Sequence, residues 1–244
     1  TPFRNGTIDI PTFEKLLDAQ LAANVDAIVV CGTTGESATL SSSEQLTLIA
    51  HAMQYTAGRC KIIAGTGSND TAHAIDLSRA ASSMGVSAVL IVTPYYNKCT
   101  QSGLIAHYEA IADAIACPVI CYNVPSRTGL DLKLETCQAL AKHPNIQGVK
   151  EAGGSPAKIA KIIETCRRQF ERHRNGSEMN ASIAQYYAAH YKNDGCAPVE
   201  HQLRLAYTTP VATLHRFGAL GACEPHEQAA CPTTELDLRL GRTL

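Results

Sequence analysis

Three kinds of side chain here could run imine chemistry on a keto acid: an amine, a phenol and a pair of hydroxyls, each placed just after a short apolar run. Lys150 lies in the stretch Gln147-Gly148-Val149-Lys150-Glu151-Ala152. A lysine in water has a pKa of about 10.4 and stays protonated at neutral pH. Inside a barrel mouth, desolvation disfavours the charged form and frees the amine. A neutral amine adds to a ketone and forms an imine, which then serves as an electron sink. The plainer alternative is a lysine that reaches from a strand end into water.

Tyr122 also follows an apolar run, and its phenol could pass protons between an imine nitrogen, a substrate and a neighbouring hydroxyl. A core tyrosine with one hydrogen bond fits the same pattern. Gly32-Thr33-Thr34-Gly35-Glu36 is a turn of small residues whose amides and hydroxyls could hold a carboxylate at the start of the next helix. It could equally be a tight strand-to-helix turn. Arg127, in the loop Pro125-Ser126-Arg127-Thr128-Gly129, could grip a second carboxylate with its guanidinium fork, or could be an ordinary exposed arginine. Tyr95-Tyr96 follows Thr93-Pro94, where paired aromatics suit interface packing as well as chemistry.

Metal chemistry is not expected. Cys223-x2-His226-x4-Cys231 has half of a metal-site spacing and no matching second pair, and His226-Glu227 lacks a second histidine at helical spacing. Cys117-x3-Cys121 straddles a strand edge, and alternating side chains do not readily present both thiols to one ion.

These residues need a frame that brings strand ends together. Five apolar runs recur, at Ala27–Cys31, Lys61–Gly65, Ala88–Thr93, Pro118–Tyr122 and Gln147–Lys150, with starts 34, 27, 30 and 29 residues apart. Near-continuous apolar runs of this kind suit parallel strands covered on both faces. Helical patterns lie between them. Pro11–Ala23 carries Phe13, Leu16, Leu17 and Leu21 on one side, Ser41-x-x-Glu44 predicts a capping box, and Ser155-Pro156 predicts a helix start before Ile159, Ile162 and Ile163. Strand-helix repeats of about 30 residues imply right-handed βαβ units and a parallel sheet, open or closed. An open dinucleotide-binding sheet should carry Gly-x-Gly-x-x-Gly after its first strand. Gly65-Thr66-Gly67-Ser68-Asn69-Asp70 lacks the third glycine and follows a later strand, and there is no Walker loop. The predicted fold is therefore α/β, a TIM (β/α)8 barrel truncated at strand 1, with strands 7 and 8 not recognisable.

The 244 residues barely accommodate such a barrel, which takes about 250. A formal net charge of -1 argues against nucleic acid or an anionic membrane as partner. No apolar run approaches the roughly 18 residues that span a bilayer. The ten cysteines sit inside strand and helix patterns, which suits reduced thiols better than a disulfide framework. With no leader-like segment before Thr1-Pro2-Phe3, a cytoplasmic protein is expected, and the sequons at Asn5, Asn69, Asn175 and Asn180 are then chance matches.

The character changes after Cys166. Residues 1–166 hold eight Lys and four Arg, whereas 167–244 hold one Lys, eight Arg and five of the nine His. Ile183–Tyr191 and Val211–Leu220 are the helix candidates there, and no strand pattern corresponds to a seventh or eighth barrel strand. The division predicted is a barrel portion at 1–166 carrying the site and a divergent segment at 167–244. A shifted reading frame past codon 166 would explain the change.

Four segments taken in order resemble the dihydrodipicolinate synthase (4-hydroxy-tetrahydrodipicolinate synthase) family. They are Gly32-Thr33-Thr34-Gly35-Glu36-Ser37, Thr93-Pro94-Tyr95-Tyr96-Asn97-Lys98, Tyr122-Asn123-Val124-Pro125-Ser126-Arg127-Thr128-Gly129 and Gly148-Val149-Lys150-Glu151. The resemblance implies condensation of pyruvate with aspartate 4-semialdehyde in lysine and diaminopimelate biosynthesis, with no cofactor beyond the imine itself. It implies that Lys150 is the Schiff-base lysine and that Tyr122, Thr33 and Tyr96 form a proton relay. Tyr96 would reach into a neighbouring subunit of a homodimer or homotetramer. Thr34 would hold the pyruvate carboxylate and Arg127 that of the semialdehyde. The related sialate lyases and 2-keto-3-deoxy-sugar-acid aldolases usually lack Ser-Arg-Thr-Gly after the tyrosine, so Arg127 favours the synthase. A non-catalytic, truncated homologue is the reading from a different class. Ser37, Ala38, Asn69 and Tyr95 match a lysine-effector region, but Ser42, Gln45 and His73 stand where lysine-sensitive members usually carry histidines and a glutamate. Weak or absent feedback is expected. Cys99 replaces a usual proline.

Overall fold

Local signals set the helices. In the computed structural model, which describes residues 1–172 and side chains as far as residue 166, helix α1 spans Ile10–Ala22 and its N-cap Asp9 accepts from the Thr12 amide. Helix α2, Ser42–Thr56, opens on the expected capping box: the Ser41 amide donates to Glu44 at 2.9 Å and the Glu44 amide to the Ser41 hydroxyl at 3.4 Å. Asp70 caps α3 (Thr71–Ser83) by accepting from the Ala72 amide, and Thr100 caps α4 (Gln101–Asp113) by accepting from the Gly103 amide. Two short helices follow, α5 (Pro125–Thr128) and α6 (Leu134–Leu140). Helix α7, Pro156–Arg172, begins where Ser155-Pro156 predicts, with the Lys158 amide donating to the Ser155 hydroxyl. The expected helices and cysteine–histidine spacings past residue 172, and the missing barrel strands, lie outside the described residues.

An antiparallel hairpin of β1 (Phe3–Arg4) and β2 (Thr7–Ile8) precedes α1. Five parallel strands then alternate with the helices: β3 (Ala27–Val30), β4 (Lys61–Gly65), β5 (Ala88–Val92), β6 (Val119–Asn123) and β7 (Ile146–Glu151). They pair in chain order, β3-β4-β5-β6-β7. The α/β class and the βαβ repeat are thus as expected, with β3 and β7 at the edges of the sheet among the described residues. Because all five strands point the same way, every strand-to-helix loop emerges on one rim.

Alternation along the strands gives the sheet two different faces. One face meets the helices: Ile28, Ile62, Val89, Ile91, Val119, Cys121 and Ile146 pack with Leu48, Ile49, Leu104, Tyr108 and Ile111 in the main core. The other carries a smaller cluster of Ala27, Ile63, Ala88, Leu90 and Tyr122, with Val29, Val92 and Ile120 beside it. At the rim the strands approach so closely that a Cβ on Gly65 would meet the Cys31 carbonyl, and one on Gly67 the Val92 amide.

One irregularity bears on the site. Val119 pairs with Ile146, but the next residue of β6, Ile120, pairs with Gly148. Strand β7 therefore carries one extra residue, Gln147, relative to β6: a β-bulge. The apolar run gave no sign of it.

Candidate active site

The register beyond the bulge sets Tyr122 opposite Lys150. Both side chains lie on the smaller-core face, and the Lys150 Nζ stands 4.2 Å from the centroid of the Tyr122 ring. Tyr122 is buried and Lys150 half-buried. Burial pulls the lysine down from its ordinary value to about 8. At that value about one amine in ten is neutral at pH 7, against about one in several thousand for a lysine in water. The sulfur nucleophiles go the other way: burial pushes the Cys31 and Cys137 thiols up to about 12. Of these groups, Lys150 is the one whose surroundings favour the neutral, nucleophilic form.

Each reactive residue is followed by a polar one on the opposite face. Asn123 and Glu151 are register partners, and the Asn123 Nδ2 donates to both Glu151 oxygens at 2.9 Å. The Gly153 amide donates to the same carboxylate at 2.6 Å. Lys158, on the first turn of α7, reaches Glu151 at 3.0 Å and Asp131 at 2.6 Å. Burial works against the Lys158 charge, but the hydrogen bonds it donates to Asp131 and Glu151 outweigh that and raise its pKa. Asn123 also donates to Asp131 at 2.8 Å and accepts from the Leu132 amide at 2.9 Å. None of these four residues was singled out from the sequence. The available signal was their position: Asn123 and Glu151 directly follow Tyr122 and Lys150 at two strand ends.

The remaining candidates surround this rim. Thr33 and Thr34 form the turn after β3, where the Thr33 carbonyl accepts from the Glu36 amide, and Thr33 is exposed. That turn follows the edge strand opposite to β7. Arg127 is exposed on α5, one residue before Thr128, whose buried hydroxyl accepts from Thr93 at 3.1 Å. Tyr96 is 88% exposed with φ +71°, and the Asn97 amide donates to the Tyr95 carbonyl across it. This is the γ-turn with a left-handed centre, rare for a bulky residue. Asn97 and Asn69 exchange two hydrogen bonds, from the Asn69 Nδ2 at 3.3 Å and from the Asn97 Nδ2 to the Asn69 carbonyl at 3.0 Å. That ties part of the expected effector region, Asn69, to the loop bearing Tyr95 and Tyr96. Ser37 starts a 3-10 turn through Thr39 that includes Ala38, and its carbonyl accepts from Gln45. Among the described residues no group of three His, Cys, Asp or Glu could hold a metal, and no helix is long and apolar enough to cross a membrane.

The described residues thus form a sequentially wound parallel α/β sheet with a lysine and a tyrosine side by side at adjacent strand ends. The chain belongs to the dihydrodipicolinate synthetase family, whose model matches residues 1–188. It is 50% identical over 164 residues to the 4-hydroxy-tetrahydrodipicolinate synthase of Exiguobacterium sibiricum, covering 67% of this chain and 56% of the relative. It is 51% identical over 171 residues to that of Trichlorobacter lovleyi, covering 70% and 59%. The chain thus spans a little over half the length of these curated relatives. The crystal structure of dihydrodipicolinate synthase from Thermotoga maritima superposes with a TM-score of 0.68 at 37% identity, over 69% of this chain and 58% of that one.

Proposed function

We propose that the chain condenses pyruvate with L-aspartate 4-semialdehyde to 4-hydroxy-tetrahydrodipicolinate, a step of lysine and diaminopimelate biosynthesis. The observation that carries the reading is the Lys150 amine, desolvated to a pKa of about 8 and set against the Tyr122 ring. The neutral amine adds to the pyruvate C2 carbonyl. The resulting carbinolamine loses water to give the imine, and loss of a C3 proton gives an enamine that attacks the aldehyde carbon, whose oxygen takes up a proton; the semialdehyde's own amine then adds to C2, closing the ring and expelling the Lys150 amine. Tyr122, with Thr33 and Tyr96, handles the protons. Thr34 takes the pyruvate carboxylate, and Arg127, exposed on its one-turn helix, takes that of the semialdehyde. No metal or organic cofactor enters these steps. The five parallel strands are an arc of a closed (β/α)8 barrel in this reading, and the outward Tyr96 is its contact with a second copy in a homodimer or homotetramer. The setting is cytoplasmic.

Borohydride reduction in the presence of pyruvate, followed by intact mass, tests the central claim. A pyruvate adduct on Lys150 is expected, and soluble folded chain that yields none contradicts it. Turnover of 2-keto-3-deoxygluconate without activity on aspartate semialdehyde would move the assignment to the sugar-acid aldolases. For the effector region, with Ser42, Gln45 and His73 in place, lysine is expected to inhibit weakly or not at all. An inhibition titration giving sub-millimolar potency would contradict this.

A further inference from the structure

We infer that Asn123, Glu151 and Lys158 form a register clasp that holds β7 in the one pairing that points Lys150 toward Tyr122; the inference rests on the imine reading of the site. Two pairings of β7 against β6 compete. With the extra residue Gln147 bulged out, Tyr122 meets Lys150 and Asn123 meets Glu151. Continued without the bulge from the Val119–Ile146 pair, the strand would set Val149 opposite Tyr122 and Lys150 opposite Asn123. A slip of one residue turns every side chain to the other face. The nucleophile would then leave the reactive face and enter the side packed by helices.

Hydrophobicity discriminates poorly between the two pairings. Val149 is apolar and suits either face, and Gly148 has no side chain to misplace. Polar pairing discriminates strongly. Only the bulged register brings the Glu151 carboxylate, 5% exposed, into the donors of Asn123, Gly153 and Lys158. The ladder continues past it, with the Ala152 amide donating to the Asn123 carbonyl at 2.8 Å. Lys158 adds a tie from a third element, since it bridges Glu151 to Asp131 on the loop before α6. A β-bulge beside a reactive residue is a recognised way to re-aim a side chain, and here the clasp lies beyond the bulge on the far side of the lysine. Glu151 and Lys158 are positioning residues in this account; neither touches the reacting atoms.

Two readouts on the full chain separate this claim from the function on which it rests. Reductive methylation with formaldehyde and cyanoborohydride, read at Lys150 by peptide mass across pH, reports the surroundings of the amine without pyruvate. Pyruvate trapping reports the chemistry. In the unmodified chain the methylation midpoint should lie near 8. Glu151→Ala should move it toward that of an ordinary lysine and slow trapping by about 100-fold, the scale of a misplaced reactive group. Lys158→Ala should shift both in the same direction by less, and Lys158→Arg should restore them. A purely structural role would lower melting temperature while leaving the midpoint of the folded fraction unchanged, and that result overturns the clasp. Should Glu151→Ala fail to fold, Lys158→Ala decides, because that side chain is partly exposed. If the unmodified chain shows the low midpoint but traps no pyruvate, the proposed function fails and the register argument stands.

Discussion

The two faces of the parallel sheet are made by the same strands and do different work. On the helix-covered face, Leu48, Ile49, Val89, Ile91, Leu104 and Ile111 are wholly buried and uniformly apolar, and what they contribute is cohesion. On the opposite face the cluster is smaller, and its rim holds a phenol and an amine where a core would place hydrocarbon. A period of two lets neighbouring residues serve these separate purposes, so Cys121 and Asn123 face one way and Tyr122 the other. Substitutions among the apolar residues that pack the helix-covered face should therefore change stability, those of Tyr122 and Lys150 should change chemistry, and the polar pair Asn123–Glu151 at the rim of the helix-covered face is where the two meet.

The largest expected separation comes from Lys150→Ala. It should abolish the borohydride-trapped adduct while circular dichroism and melting temperature are preserved or improved, since a buried amine is removed. An adduct of unchanged yield would end the assignment. Tyr122→Phe keeps the ring beside the lysine but removes the hydroxyl; condensation should slow by about 10²–10⁴-fold, the range of a general acid–base group, measured by steady-state kinetics. Leu48→Ala probes the other face. It should cost about 2–5 kcal/mol in chemical denaturation with trapping per folded molecule unchanged. A loss of trapping at full folding would show that the two faces are not separable.

A finer test uses pH. Below pH 8, imine formation should rise about tenfold per unit with the neutral amine, then level off as Lys150 is deprotonated. Stability should follow a related course. The unfolded lysine keeps its proton to an ordinary value of 10.5 while the folded one releases it near 8. Between these values the unfolded chain binds more protons, so stability rises with pH. The penalty of the buried charge is complete below 8 and is relieved toward 10.5. Lys150→Met should flatten that rise in denaturation curves recorded across the window.

Much of the architecture was legible because its signals are local. Apolar runs bounded by turns marked β3 to β6 to within a residue or two, and Ser41-x-x-Glu44 is a cap because the two partners are neighbours in sequence. Lys150 and Tyr122 could be suspected because each ends such a run. Their mutual placement could not be read, for an extra Gln147 leaves composition and hydrophobicity untouched and changes only pairing. The ties among Asn123, Asp131, Glu151 and Lys158 escaped for a related reason. They join residues up to 28 positions apart on three elements, and ordinary surface charges look the same in a sequence. The hydrogen bonds between Asn69 and Asn97 are non-local in the same way.

The γ-turn at Tyr96 has one more consequence. A left-handed backbone at a bulky residue costs about 1–3 kcal/mol and persists only where its surroundings hold it. Here it presents a whole aromatic ring to solvent, 88% exposed, three residues past Thr93, whose buried hydroxyl donates to that of Thr128. An isolated chain gains little from such an outlying ring. If a second molecule captures it, turnover per chain will depend on dilution: a specific activity that sags at nanomolar protein and recovers at micromolar protein is the signature this turn leads one to expect.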